Sequence, residues 1–303
     1  MKERILREDA LKHVHTCAYR GQKATAESLA GALGIRLDQA VEVLEQLELL
    51  DLVLRQESDF TLTASGRTYA LHVIRAHRLY ETYLAEETGF SEATWHHRAE
   101  AKEHKMSEDE LDRMARELGD PRFDPHGDPI PTRDGTLPTM HGRSLLAYPA
   151  GWEGRVLHIE DEPETVYADI VAAGLAPGMR VRITASDSRT VRLTAEGRDL
   201  VFSKATAANV QVQELAPAES FDDALLRLDA LEEGMEAEVV GLSPSCRGAE
   251  RHRLLDLGVV PGTRVTIDLV SPSGNPRAYR IRGASIALRT EQAERILIKK
   301  VGA

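Results

Sequence analysis

The chain has 303 residues, with 38 Lys and Arg against 49 Asp and Glu for a net charge of −11, and only 5% aromatic residues. Such an acidic balance argues against a general nucleic-acid coat or an anionic membrane surface, and no apolar run approaches the roughly 18 residues that a membrane span needs. Cys17 and Cys246 lie far apart without metal-pair spacing, which argues against a disulfide framework, and the charged start "MKERILREDALKH" is unlike a signal peptide; a cytoplasmic protein is expected.

Residues 1–68 read as three helices and a hairpin. "EDALKHVHTCAYR" stops at Gly21, "TAESLAGAL" starts at a Thr25 cap and stops at Gly34, and "RLDQAVEVLEQLELL" places Leu37, Ala40, Val41, Leu44 and Leu47 at helical spacing. "LDLVLRQESDFTLT" gives two short extended runs around Glu57, Ser58 and Asp59. Helix, turn, helix, hairpin is the pattern of a winged helix-turn-helix, whose second helix of the pair enters the DNA major groove.

Residues 69–140 read as helical with a linker. Leu71, Ile74, Leu79, Tyr83 and Leu84 give one long helix more apolar surface than a winged helix covers, which suits dimerisation. A second helix, "WHHRAEAKEHKM", runs to about Met106, where Ser107 and Glu110 form a capping box for a third, "EDELDRMARELG". "DPRFDPHGDPIPTRDGTLPTMHG" is a Pro, Gly and Asp-rich linker.

The rest of the chain is an internal repeat. "AAGLAPGMRVRI" (172–183) matches "DLGVVPGTRVTI" (256–267) at a separation of 258 − 174 = 84 residues. Two β-rich copies, 141–215 and 225–303, each with a Pro-Gly turn between strands, have the length of small SH3-like barrels, and segment 216–230 links them. The fold class expected is multidomain α+β.

At 100° per residue, His96, Glu100, Glu103 and His104 fall in one arc of about 100°. His77 and Glu81, spaced i, i+4, share a face of the preceding helix. Two such faces suit a divalent cation, although a solvated face with internal ion pairs has the same spacing. Trp95, Ala99 and Met106 are the second helix's main apolar residues, too few to dock it by burial alone.

The ordered set "LTASGR", "AHRLYETYL", "WHHRAEAKEHKMS" and "DPHGDPIP" resembles the family of the diphtheria toxin repressor and the manganese transport regulator, over residues 1 to about 131. The repeat resembles the FeoA-type SH3-like domain, most clearly in 228–300; two copies depart from that family's single one. The resemblance implies a primary metal site of Asp9, Glu100, Glu103 and His104. It implies an ancillary site of His77, Glu81 and His96, with an acid from the first barrel, Glu164 or else Glu162. His97 has no matching role and reads as an exposed neighbour, and His126 as a loop residue. Iron-type members carry Met and Cys where this chain has Asp9 and Glu100; the harder carboxylates suit Mn²⁺, with Fe²⁺ the alternative. Histidine ligands imply weaker binding below about pH 6. In the implied mechanism, metal ties the first helix to the helical block and fixes a homodimer on double-stranded operator DNA, repressing metal-uptake genes.

The candidate reading helix is acidic: Asp38, Glu42, Glu45 and Glu48 outnumber Arg36, and residues 1–68 hold nine Lys and Arg against eleven Asp and Glu. Phosphate neutralisation dominates DNA affinity, so weak, salt-sensitive binding is expected. Glu42 matches a base-reading glutamine of the family and Ala26 a basic phosphate contact, which leaves Arg36, Gln39 and wing Arg55 as the DNA-binding candidates. The alternative is a metal-sensing adaptor without DNA binding, acting on a protein partner such as a metal transporter through its SH3-like domains. No nucleophile elbow, phosphate loop or HExxH motif occurs, so no enzyme is expected.

Overall fold

The computed structural model describes residues 2–301, which form two compact units. Among the described residues the first comprises 2–83, 94–124 and 129–139; the second takes 84–93, 125–128 and 140–301. Among the described residues no helix is long and apolar enough to cross a membrane.

The first unit starts with α1 (Lys2–Tyr19), α2 (Ala26–Leu33) and α3 (Leu37–Leu49). Thr25 caps α2 by accepting from the Ser28 amide at 3.1 Å, and Gly34 ends it in the left-handed conformation at φ 62°, which costs glycine nothing. The hairpin β1 (Val53–Gln56) and β2 (Asp59–Leu62) is antiparallel, with Gln56 opposite Asp59. Its turn is therefore Glu57 and Ser58 alone; Asp59 belongs to the strand, where Lys23 holds it at 2.5 Å. Leu11, Val14, Leu29, Leu44, Leu47 and Phe60 form the core beneath.

One continuous helix, α4 (Ala64–Glu87), leaves that core at Ala70 and enters a second at Ala76 and Leu79. Against it lie α5 (Trp95–Glu103) and α6 (Glu108–Glu117), with Met106, Leu111, Ala115 and Ile130 closing the second core. The Ser107 hydroxyl accepts the Glu110 amide at the start of α6, and the Glu110 carboxylate returns to the Ser107 amide at 2.8 Å. This cap stops α5 at Glu103, short of the expected end near Met106, and makes His104 its C-cap. Trp95, Ala99 and Met106 are all buried, so burial contributes to the docking of this segment.

The second unit holds two six-stranded sheets of one topology. The first copy runs β3 (Arg143–Ser144), β4 (Glu153–Ile159), α7 (Glu164–Ala172), β5 (Arg180–Ser186), β6 (Thr190–Ala195), β7 (Arg198–Ser203), α8 (Lys204–Ala207) and β8 (Val210–Glu214). The other runs β9 (Leu226–Arg227), β10 (Glu236–Leu242), α9 (Gly248–Asp256), β11 (Arg264–Val270), β12 (Arg277–Ile281), β13 (Ala284–Leu288), α10 (Thr290–Ala293) and β14 (Ile296–Lys300). The orders β3-β8-β4-β5-β6-β7 and β9-β14-β10-β11-β12-β13 superpose position for position. Each copy carries a helix, α7 or α9, before its Pro-Gly turn, so that turn joins helix to strand instead of strand to strand.

The copies are locked by a hairpin turn. Glu196 and Gly197, both at positive φ, make the two-residue β6–β7 turn. Gly197 presses on copy two: a Cβ there would lie 2.7 Å from the Leu225 carbonyl oxygen. The buried Glu196 carboxylate accepts from Arg227 at 2.9 Å and from the Ser243 hydroxyl at 2.8 Å. Arg198 adds an ion pair to Glu294 at 2.7 Å. The connecting segment is strapped down too, Glu219 by Arg155 and Arg180, and Asp223 by Arg182, whose guanidinium covers the Phe221 ring at 4.4 Å.

Glu196→Ala leaves Arg227 buried without its counter-charge and is expected to lower the unfolding free energy of this unit by about 3 kcal/mol, with Glu196→Gln losing less. Burial raises the Glu196 pKa above its ordinary 4.5, against the pull of Arg227. The folded chain then holds this proton more tightly than the unfolded chain. The carboxyl's contribution is greatest below pH 4.5 and falls as pH rises through the raised value. Urea unfolding across that window is expected to show the parent losing stability relative to Glu196→Gln as pH rises.

Candidate metal centre

On α1, Glu8, Asp9 and Lys12 share one face by helical spacing, and that face meets the end of α5. Asp9 Oδ1 and Glu103 Oε1 each lie 3.3 Å from His104 Nε2. Asp9, Glu103 and His104 can bring one ligand atom each within 4.8 Å of one another. Two oxygens and one imidazole nitrogen, with no sulfur, are the donors that a hard to intermediate divalent cation takes. The residues present therefore fit such an ion.

A second group lies beside the first. Glu81 Oε1 sits 3.1 Å from His77 Nε2 and 3.4 Å from His96 Nδ1, and His77, Glu81 and His96 again meet within 4.8 Å. The groups are joined through Glu103, only 2% exposed: Oε1 faces His104 and Oε2 pairs with His77 Nδ1. Lys12 Nζ donates to Glu103 Oε1 at 2.7 Å.

Charge follows from these contacts. Burial pushes the Glu103 pKa up, but His77 and Lys12 outweigh it and hold the carboxyl below its ordinary range. Burial pushes His77 down, and Glu81 with Glu103 overcomes it, so His77 is raised. His104 is likewise raised, Asp9, Glu8 and Glu103 outweighing its desolvation. A cation at His104 Nε2 would compete with a proton for that nitrogen.

Of the residues expected in the sites, Asp9, Glu103 and His104 come together in one group and His77, Glu81 and His96 in the other. Glu100 stands apart from the Asp9 group: its carboxylate is half-exposed and turned to His96 Nε2 at 3.5 Å. His104, the C-cap of α5 with helical backbone angles, reaches Glu8 and Asp9 of α1, whereas Glu100 lies one turn back along α5. Glu164 is the exposed first residue of α7 in the second unit, and Glu162 is exposed just before it. His97 is exposed, whereas His126, in its loop, is buried with its ring edge-on to Tyr167. Glu8 and Lys12 went unnoticed in the sequence, although "REDALK" sets them one and three residues from Asp9.

The DNA candidates are engaged locally. Arg36 N-caps α3 and pairs with Asp38, Gln39 accepts from the Arg36 amide at 3.4 Å, and Arg55 lies 5.8 Å over the Phe60 ring. Asp38, Glu42, Glu45 and Glu48 are all exposed, as are Leu37 and Val41, so the open face of α3 is acidic and apolar.

Sequence comparison bears on this arrangement. Residues 63–132 match the profile of the iron-dependent repressor metal-binding and dimerisation domain, and residues 226–300 that of the FeoA domain. The iron-dependent repressor IdeR of Mycobacterium tuberculosis is 30% identical over 191 residues, covering 57% of this chain and 83% of that protein. The chain belongs to this family of metal-dependent repressors. A solved manganese-dependent transcriptional repressor in complex with manganese is 32% identical and superposes with a TM-score of 0.64 over 69% of this chain and all of that one. A probable metal transport system membrane protein of Chlamydia trachomatis is 42% identical over 83 residues, but the chain spans only 18% of its length. The chain spans 66% of IdeR from Mycobacterium leprae. Within the family, the second barrel is the part that matches FeoA, and the first is a further copy of its topology.

Lys12→Met would leave the buried Glu103 carboxylate without its ammonium partner. Thermal unfolding monitored by circular dichroism is expected to show a loss of about 2 kcal/mol, while Lys12→Arg keeps most of the stability.

Proposed function

We propose that this chain is a Mn²⁺- or Fe²⁺-responsive transcriptional repressor that binds operator DNA as a homodimer, and that it is not an enzyme. The observation that carries the reading is the meeting of Asp9, from the first helix of the winged unit, with Glu103 and His104 at the end of α5. A divalent cation at these three ligands would supply a positive charge shared by both parts. His77, Glu81 and His96 would hold a second ion, Glu103 lying between the two. Asp9 is carried by the helix that packs on α2 and α3, so its position is tied to the placement of the reading helix. Glu103 and His104 belong to the segment whose profile is that of dimerisation. The ligands therefore connect where the DNA-binding face sits to where a dimer forms, the geometry needed to set the spacing of two half-sites. The absence of sulfur among the donors favours Mn²⁺ over softer ions, with Fe²⁺ the alternative. Family membership supports the repressor over the adaptor.

The acidic face of α3 sets how DNA is held. Few cations on it can neutralise phosphates, so affinity rests on a small number of basic contacts, Arg36 and Arg55 among them. Mobility-shift assays on the DNA upstream of the gene are expected to give a complex with Mn²⁺ at low salt that is lost without metal. No shift under those conditions would overturn the repressor reading. Calorimetry with MnCl₂ is expected to show binding that Glu103→Ala removes.

A further inference from the structure

His104 has both ring nitrogens against carboxylates, and the two sides differ. Nε2 faces Asp9 and Glu103 at 3.3 Å, whereas Nδ1 lies 2.6 Å from Glu8 Oε2. Glu8 is buried at 3% exposure, and its other oxygen, Oε1, accepts the Tyr69 hydroxyl from α4 and lies 3.6 Å from Arg4 Nε. Arg4 also donates to the His104 carbonyl. Glu8 thus spends one oxygen on the imidazole and the other on Tyr69, and it points at the edge of the ring opposite the Asp9 group.

We propose that Glu8 is a positioning residue for the metal centre: it accepts the Nδ1 proton of His104, so that the Nε2 lone pair is presented to the cation beside Asp9 and Glu103, while Tyr69 keeps Glu8 in that place. The inference rests on the reading of Asp9, Glu103 and His104 as ligands and adds a residue that is not one of them. The physics is that of an imidazole between a carboxylate and a cation. A neutral ring carries one proton, and the partner that accepts it decides which nitrogen is left to ligate. A carboxylate also raises the basicity of the ligating nitrogen, and removal of such a partner typically costs about 10- to 100-fold in metal affinity. Tyr69 carries its own mark of the contact: burial, and then Glu8, push its pKa up to about 12, so its hydroxyl stays a donor. Glu8 and Asp9 are adjacent in sequence, and one turn of α1 delivers them to opposite sides of one ring.

The experiment uses the full chain and MnCl₂. Titration calorimetry on the parent, Glu8→Ala and Glu8→Gln is paired with long-range ¹H–¹⁵N spectra of the histidine rings with Zn²⁺ as a diamagnetic stand-in. The parent is expected to show Zn²⁺ on His104 Nε2 with the proton on Nδ1. Glu8→Ala is expected to lose about 10-fold or more in Mn²⁺ affinity and to lose that single tautomer. Glu8→Gln still accepts the Nδ1 proton, so it should keep the tautomer and recover part of the affinity. Circular dichroism verifies that both variants fold.

Mn²⁺ affinity within two-fold of the parent in Glu8→Ala, with His104 unchanged, would overturn the proposal. So would Glu8→Gln losing as much as Glu8→Ala while the tautomer holds, since Glu8 would then ligate directly. Glu103→Ala separates the two readings. If it leaves Mn²⁺ binding intact, the metal centre itself is misplaced and the positioning role falls with it; if it abolishes binding that Glu8→Ala spares, only the positioning role fails.

Discussion

The meeting of α1, α4 and α5 turns on one buried carboxylate. Glu103 is almost closed to solvent, and a charge so placed is tolerable only where partners surround it. Its two oxygens reach three of them: Lys12 from α1, His77 from α4, and its own neighbour His104. Three helices are therefore referred to a single side chain. The geometry of the candidate ligands, the pair His77 and His96, and the seating of α1 are all coupled to it. Lys12 has a double standing here. It keeps Glu103 ionised, and it competes for the oxygen that a divalent ion would use.

The face of α3 proposed to meet DNA is built under a different constraint. Arg36 is already paired with Asp38, and the open face of α3 otherwise offers acids, Gln39 and the aliphatic side chains of Leu37, Val41 and Leu49. Such a surface repels a phosphate backbone unless a second subunit doubles the few favourable contacts. Dependence on a correctly spaced dimer is thus sharper than it would be for a basic reading helix. On the proposed reading, a weak monomer surface would make the metal-dependent step decisive.

Much of this was legible in the sequence, and the failures are instructive. Period and caps placed α1 to α6, and the 84-residue offset announced two copies of one topology. Helical spacing brought His96, Glu100, Glu103 and His104 into one arc, yet Glu100 faces His96 and not Asp9. An angular projection gives the face a residue lies on but not the partner its side chain takes: His104 keeps helical backbone angles at the end of α5 and reaches α1, while Glu100 on the same arc turns to His96. Glu8 and Lys12 escaped notice because their roles depend on what lies across from α1, and sequence spacing is silent on partners from another helix. The helices α7 and α9 are not legible in the sequence because each is only nine residues long, about two and a half turns, too short for helical period to separate it from a strand or loop.

The two barrels treat the same turn in opposite ways. In the first, the turn at Glu196 and Gly197 is a tenon let into the neighbour, with its acid sealed against Arg227; in the second, the matching turn at Arg282 and Gly283 stands in solvent. A duplication that began as two interchangeable modules has thereby become an ordered pair with a first and a last member. Cutting the chain near residue 225 would not remove an appendage. It would leave the first barrel with an exposed tenon, a glutamate and glycine shaped for a surface that is no longer there, so a truncated chain is a poor stand-in for the whole one.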